Sequence, residues 1–199
     1  MVWDLKKELK RKAIHLLALS FIVIFILISE NFGEALALFA LVFLLIIFLE
    51  LDYVRIDLRK KIPFVSGLWR LKEKNRPGGQ VFFLIGAIIS LSVFDFRIAL
   101  AVILMTIFGD MAAALVGKRF GKTWLTKTKA WEGILAEFFV DVVIAYFIIG
   151  NWIVILVMAL TATIVETLVD RLDDNLMIPL FAGFNGQLTL YILSLLSKI

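Results

Sequence analysis

About seven apolar stretches, each poor in charge, occupy most of this 199-residue chain. A helix needs roughly 20 apolar residues to cross the hydrocarbon of a bilayer, and several of the stretches approach that length. Hydrophobic residues make up 62% of the sequence and charged residues only 19%, which is more apolar than a water-soluble domain of this size can bury. The sequence therefore predicts an all-α, polytopic membrane protein with about seven spans, near 13–29, 34–51, 79–94, 97–117, 132–149, 151–169 and 176–196.

The connections between the predicted spans determine which of them are neighbours. Residues 95–97 alone join the third and fourth spans, and residues 150–151 alone join the fifth and sixth, so each pair should form a tight antiparallel hairpin. A six-span arrangement with a re-entrant third segment is an alternative. The first apolar run follows a basic stretch, as in a signal peptide, but no small-residue cleavage site follows it, so we expect a retained span. We expect residues 1–199 to form a single integral membrane catalytic domain.

Positive charge lies almost entirely on one side of this topology. Nearly all of the 21 lysine and arginine residues fall in the N-terminal tail, in the 52–80 segment or in the 118–131 loop. Because cytoplasmic loops carry the excess of basic residues, all three are predicted to be cytoplasmic and the C-terminus external. The 52–80 segment mixes apolar and basic residues, as a helix in the headgroup layer does. Basic residues so close to spans favour anionic lipid headgroups and nucleotide phosphates as partners, and not nucleic acid.

Acidic residues gather at the same predicted face. Charged groups at or inside spans are costly and by default mark function. Glu137 and Asp141 lie deeper in the fifth span, four residues apart on one helix face. Carboxylates beside a basic loop are the groups that hold a divalent cation and a polyphosphate, whereas the absence of cysteine excludes thiolate chemistry. The acidic residues at this face are Glu50, Asp52, Asp110, Glu132, Glu166, Asp170, Asp173 and Asp174.

The densest polar stretch runs from Gly109 to Gly133. Asp110 lies about two turns inside the membrane and precedes small residues that let another helix approach closely. Gly117 and Gly121 would let the chain turn with its amides open to a ligand, and the helix that begins near 131–133 would present its N-terminus to phosphate. The spacing is not that of a Walker A loop. The alternative is that the basic residues here are only positive-inside anchors, namely Lys118, Arg119, Lys122, Lys127 and Lys129.

A second polar stretch follows the sixth span. Glu166, Asp170 and Asp173 or Asp174 have helical spacing and form an acidic stripe that favours metal or substrate binding. The alternative is that Asp173, Asp174 and Asn175 cap the following helix.

A third group shares one helix face near the N-terminus. It comprises Glu8, Arg11, Lys12 and the only histidine, His15. A lone histidine at a membrane interface is also compatible with a structural role.

These stretches together resemble motifs of the CTP-dependent lipid kinases, the family of dolichol kinase, phytol kinase and the yeast-type CTP-dependent diacylglycerol kinase. Members from bacteria and archaea are often labelled phosphatidate cytidylyltransferase-like. The family's Arg-Lys-x-x-His is matched by 11–15, and its Asp-x-x-Ala-Ala-x-x-Gly-basic-basic-Phe-Gly-Lys core by 110–122. Its Lys-[Ser/Thr]-x-Glu-Gly element corresponds to 129–133, with Ala130 in place of the hydroxyl residue, and its Asp-Asp-Asn-x-x-[Ile/Val]-Pro element to 173–179.

The resemblance implies transfer of the γ-phosphoryl group of CTP to a membrane isoprenoid alcohol of the dolichol, polyprenol or phytol type, with Mg²⁺ or another divalent cation. A homodimer is also compatible with this interpretation. The resemblance assigns Asp110, Asp173, Asp174 and Glu132 to catalysis. It assigns Asp110, Glu166, Asp173 and Asp174 to the metal. It assigns to the nucleotide Lys118, Arg119, Gly121, Lys122, Lys129, Gly133, Asn175, Arg11, Lys12 and His15.

Two other functions are open at this stage. A phosphatidate cytidylyltransferase, which makes a CDP-lipid and releases pyrophosphate, needs the same nucleotide, cation and mixture of acidic and basic groups. A non-enzymatic small transporter would depend on Glu137 and Asp141, but no pair of broken helices indicates a binding site at the bilayer midplane.

Overall fold

The computed structural model describes residues 16–59, 75–126, 129–169 and 172–197, and it is all helical apart from one isolated bridge between Trp124 and Ala130. The described residues form seven α-helices joined by short connections. In chain order these are α1 (Ala18–Phe32), α2 (Glu34–Ile56), α3 (Gly79–Val93), α4 (Phe96–Phe120), α5 (Trp131–Ile148), α6 (Trp152–Leu168) and α7 (Asp174–Leu196).

The helices coincide with the seven apolar stretches of the sequence. Three of them, α2, α4 and α7, are long and apolar enough to cross a membrane, whereas α1, α3 and α6 are apolar but shorter. Large apolar side chains cover the outside of the bundle, as Phe39 and Phe147 do with 70% and 80% of their surface exposed. An apolar exterior of this extent needs lipid around it. These features are those of an integral membrane protein. That all seven helices cross the bilayer, with a cytoplasmic N-terminus, stays a prediction.

The predicted hairpins form where the sequence places turn and cap residues. Asp95 caps α4 by accepting a hydrogen bond from the Arg97 N–H at 2.9 Å. Asn151 caps α6 by accepting from the Ile153 N–H at 2.9 Å. Gly33, between α1 and α2, has a φ of 93°, a conformation that side-chain-bearing residues rarely adopt. Each turn is thus fixed by a local interaction.

Helix α4 lies at the centre of the bundle. It packs most extensively on α5 and also contacts α1, α3, α6 and α7. Its inner residues are small or aliphatic and fully buried, including Ala99, Val102 and Ile103. Because α4 contacts most of the other helices, it fixes where their ends lie. The polar groups described below lie at these ends.

Two segments differ from the expected boundaries. Helix α4 continues through Phe120, so Lys118 and Arg119 belong to its last turn and the loop begins only at Gly121. Cations in the last turn are favoured by the negative end of the helix dipole. Helix α2 continues to Ile56, so the predicted 52–80 segment begins as a helix. The interfacial helix expected in that segment falls largely in residues 60–74, outside the described residues.

Candidate active site

The end of α4 and the start of α5 meet almost backbone to backbone. A β-carbon added to Gly133 would lie 2.6 Å from the Ala113 carbonyl oxygen and 3.0 Å from the Gly117 α-carbon. The close approach predicted from the small residues after Asp110 is therefore confirmed. Gly121 has ordinary negative-φ backbone geometry. It is glycine because a β-carbon would collide with the Gly117 carbonyl oxygen and the Ala130 side chain.

The loop between α4 and α5, residues 121–130, is held by Glu132. The Oε1 atom of Glu132 accepts hydrogen bonds from the N–H groups of Lys122 at 3.0 Å and Thr123 at 3.3 Å. The Gly121 N–H donates to the Gly117 carbonyl. The amides expected to be open to a ligand are therefore used inside the loop. Glu132, predicted to be catalytic, positions the loop in this structure, and its Oε2 atom is buried with no hydrogen-bond partner in the described part of the chain.

An ion pair links the end of this loop to the end of α6. The Lys129 ammonium lies 3.3 Å from Oε1 of Glu166, and both side chains are largely buried. The second oxygen of Glu166 has no hydrogen-bond partner among the described residues. The basic loop and the acidic end of α6 therefore meet at one end of the bundle, although the two paired residues are 37 positions apart in the sequence. We call this the polar end, defined by residues 121–126, 129–130, Glu166 and residues 173–175.

The Asp173-Asp174-Asn175 turn starts α7 at the polar end. Asp173 is the N-cap residue, and its Oδ1 accepts from the Asn175 N–H at 3.2 Å and from the Asn175 side-chain amide at 2.7 Å. Oδ1 of Asp174 accepts from the same N–H at 2.9 Å. The capping alternative is therefore observed for this turn. Asn175 is only 3% exposed. Its backbone and side-chain N–H groups donate the hydrogen bonds that hold the cap together. Asp174 interacts electrostatically with Glu166, so the turn adjoins the ion pair.

Asp110 lies in the interior of α4, within electrostatic range of both Glu137 and Glu166. It is partly buried and has interaction partners of its own. Asp110 and Asp174, two of the predicted metal residues, therefore both lie within electrostatic range of a third, Glu166, and the three come from three helices. The cations Lys118, Arg119 and Lys122 are exposed at the same end, in the last turn of α4 and the loop after it.

The carboxylates here fit a cation that arrives with a nucleotide. No group of three acidic or histidine side chains in the described residues is arranged to hold a metal by itself. Mg²⁺ in nucleotide sites is held by one or two carboxylates, with phosphate oxygens and water completing its coordination. The unpartnered Oε2 of Glu166 supplies such a ligand without disturbing the Lys129 contact. The predicted nucleotide-binding residues Arg11, Lys12 and His15, together with Asp170, lie outside the described residues.

Asp52 has a defined role that sequence reasoning missed. Its Oδ1 accepts from the Arg55 guanidinium at 2.6 Å and its Oδ2 accepts from the Gly78 N–H at 2.7 Å. Arg55 in turn donates to the Arg76 carbonyl at 2.9 Å. These bonds tie the end of α2 to the start of α3 across the 57–78 segment. The only sequence signal was an acidic residue at a helix end, which does not reveal a partner 26 positions away.

Comparison with known proteins gives the family. The chain is 32% identical to the uncharacterised protein RP860 of Rickettsia prowazekii over 206 residues, covering 96% of this chain and 98% of that protein. It is 33% identical to the uncharacterised protein MJ1137 of Methanocaldococcus jannaschii over 153 residues, covering 71% of this chain and 75% of that protein. The chain belongs to the family of these two proteins.

The same comparison relates this family to lipid kinases. The chain is 26% identical to the CTP-dependent diacylglycerol kinase 1 of Saccharomyces cerevisiae over 74% of its own length, and it spans about half, 52%, of that enzyme. Identity to the Schizosaccharomyces pombe enzyme of the same name is 28%, covering 72% of this chain and 68% of the kinase. No protein-family model and no solved structure matches the chain.

Proposed function

We propose that this protein is a CTP-dependent lipid kinase, which transfers the γ-phosphoryl group of CTP to the hydroxyl group of a membrane alcohol. The observation that carries the proposal is the Lys129–Glu166 ion pair, which joins the basic loop to the acidic ends of α6 and α7. Cations and carboxylates at one site are what a nucleoside triphosphate and its divalent cation require. The similarity to two CTP-dependent diacylglycerol kinases supports the choice of nucleotide.

Phosphoryl transfer needs positioning and charge neutralisation more than covalent chemistry from the protein. Lys129 is held ready by Glu166, and we propose that it exchanges this carboxylate for a phosphate oxygen when CTP binds. The exposed side chains of Lys118, Arg119 and Lys122 add positive charge along the path of the triphosphate. Bound Mg²⁺ would neutralise charge on the β- and γ-phosphates. The residues proposed to hold it are Asp110, Glu166, Asp173 and Asp174.

We further propose that the acceptor is an isoprenoid alcohol of the dolichol, polyprenol or phytol type and that the polar end faces the cytoplasm. The orientation is supported by the basic side chains of Lys118, Arg119 and Lys122 at that end. A second candidate acceptor is diacylglycerol, which the names of the two yeast relatives favour. Both kinds of acceptor offer a hydroxyl group attached to an apolar body.

Labelled CTP tests the proposal. Purified protein in lipid nanodiscs is supplied with CTP labelled in either the α- or the γ-phosphate, and with dolichol, phytol, undecaprenol, diacylglycerol or phosphatidate. We expect γ-label, and no α-label, in an alcohol-derived lipid. Transfer of α-label to phosphatidate would identify a cytidylyltransferase instead, and absence of label from every lipid would reject both enzymatic functions.

A further inference from the structure

Two carboxyl groups inside the bundle lack the hydrogen bonds that buried polar groups normally have. Glu137 and Asp141 are each only 1% exposed. Neither oxygen of Asp141 has a hydrogen-bond partner in the described residues, and the same is true of Oε2 of Glu137. Burying a polar group without a partner is unfavourable, so a pair of such groups on one helix face indicates that a hydrogen-bond donor binds there.

The bundle is built to accommodate these carboxyl groups. They point at Gly109 of α4, where a β-carbon would lie 2.6 Å from Oδ1 of Asp141 and 3.3 Å from Cγ of Glu137. The charged groups within electrostatic range of the pair are Asp110, Glu166 and Lys129. Two of these are acidic, and the hydrogen bond that Lys129 donates goes to Glu166, so Lys129 does not supply a hydrogen bond to the unpartnered oxygens of the pair in this structure.

An apolar groove lies on the outer surface of α4 and α5, the two helices between which the pair is buried. It has a volume of about 370 Å³ and is lined by Phe108, Phe139, Val140, Val143 and Ile144, with no polar surface. Phe108 precedes Gly109 in the chain, and Val140 precedes Asp141. A molecule that entered from the bilayer along this groove would thus reach the helices that carry the unpartnered oxygens.

We propose that Glu137 and Asp141 accept a hydrogen bond from the hydroxyl group of the lipid acceptor, whose hydrocarbon chain lies in the groove between α4 and α5. This inference rests on the proposed kinase function and identifies the part of the site that recognises the alcohol. It commits to a lipid alcohol because such a lipid combines a single hydrogen-bond donor with an apolar chain and brings no charge into the buried site. Lys129 and Glu166 lie closer to the end of the bundle, and their proposed role is still to bind the nucleotide.

The depth of the pair defines the class of alcohol. At 1.5 Å per residue, Glu137 lies about 9 Å along α5 from Trp131, and Asp141 about 15 Å. A hydroxyl group that reaches these positions leaves the headgroup layer. The free-energy cost of this step is smallest when the hydroxyl is the only polar group of the lipid. A polyprenol-type alcohol meets this condition. Diacylglycerol brings two ester groups with its hydroxyl, and burying them without partners is unfavourable.

Acceptor kinetics of Glu137→Met, Asp141→Leu and the double variant test the inference, because these substitutions remove the hydrogen-bond acceptors and keep side chains of similar size. We expect the KM for undecaprenol to rise about tenfold in each single variant, since one hydrogen bond to the hydroxyl group is lost, while the KM for CTP changes less than about twofold. Glu34→Met, at an exposed acidic residue at the start of α2, is the matched control and should leave both constants unchanged. An unchanged undecaprenol KM in the double variant would overturn the inference.

A binding assay separates this inference from the proposed function. A photoreactive undecaprenol analogue is compared with the same analogue lacking its hydroxyl, without CTP. We expect the alcohol to label α4 and α5 of the wild type more strongly than the hydroxyl-free probe, and this difference to vanish in the double variant. Equal labelling by both probes in the wild type would reject the hydroxyl site, whether or not kinase activity is found. The melting temperature of the double variant should not fall, because three of the four carboxyl oxygens removed have no hydrogen-bond partner in the described residues; a marked fall would assign the pair a structural role.

Discussion

The two ends of the helix bundle use their polar residues differently. At the end formed by the α3–α4 and α5–α6 turns, Asp95 caps α4 and its N–H donates to Gln187, while Asn151 caps α6. At the polar end, Glu132 and Glu166 each keep a buried oxygen without a partner in the described residues. One end therefore has polar groups that complete the fold, and the other has groups left available for a ligand. The contrast separates carboxylates that complete the fold from those that we propose bind the ligand better than charge alone does.

The largest expected effect comes from the acidic residues of the polar end. Asp110→Asn and Asp174→Asn should each reduce kcat by about 10²–10³-fold, because they remove charge that faces the nucleotide's cation and phosphates. Initial rates of γ-phosphoryl transfer at saturating CTP measure this. Asp95→Asn is the matched control at the opposite end, where asparagine also caps a helix, and it should retain wild-type kcat. Wild-type rates in the Asp110 or Asp174 variant would remove the site assignment.

The next effect concerns Lys129. Lys129→Met should raise the KM for CTP about tenfold through loss of a charge-assisted contact, and it should also lower stability because Glu166 loses its partner. The double variant Lys129→Met/Glu166→Gln should recover the melting temperature but not the affinity for CTP. Recovery of both the melting temperature and the affinity for CTP would mean that the ion pair only stabilises the fold.

Lys122 should contribute less, since its side chain is exposed while its backbone N–H is bonded to Glu132. Lys122→Ala should raise the KM for CTP about threefold, as expected for one screened phosphate contact, with no change in melting temperature. A fall in melting temperature comparable to that of Lys129→Met would contradict this division of roles.

The packing of α4 on α5 gives a prediction for stability. Gly133→Ala should destabilise the protein by about 1–3 kcal/mol, because its new β-carbon would collide with the Ala113 carbonyl oxygen. Gly150→Ala is the control, since nothing lies within 4 Å of a β-carbon there. Thermal unfolding in detergent compares the two, and equal melting temperatures would show that the helices do not approach as closely as described.

The smallest effect on activity is expected at Asp52, which is buried at the end of α2 but has both oxygens bonded. Asp52→Asn should lower stability by about 1–2 kcal/mol through weaker bonds to Arg55 and Gly78 and leave the KM for CTP unchanged. The exposed neighbour Glu50 provides the control variant Glu50→Gln. A larger loss of activity than of stability in Asp52→Asn would place Asp52 in the site.

Much of the fold could be predicted because it depends on local signals. Apolar length located the seven helices, and the short connections at 95–97 and 150–151 located two turns. The end of α4 was misjudged because Lys118 and Arg119 look like loop residues, although the helix dipole stabilises them in a last turn.

The residue types of the site could be predicted from the sequence, but most of the contacts between them could not. Basic and acidic residues were expected at one end, and the Lys129–Glu166 pair brings two of them together. The bond from Glu132 to the loop amides and the fit of Asp141 against Gly109 depend on how α4 meets α5. No periodicity in the sequence encodes such contacts, so they required the packed structure.

Phosphorus NMR of the water-soluble products and of the extracted lipids tests the kinase assignment most directly. The wild-type protein is incubated in nanodiscs with CTP, undecaprenol and phosphatidate together. We expect CDP to accumulate in step with a lipid monophosphate, and this accumulation to stop in Asp174→Asn. Accumulation of pyrophosphate with a CDP-lipid would contradict the kinase assignment.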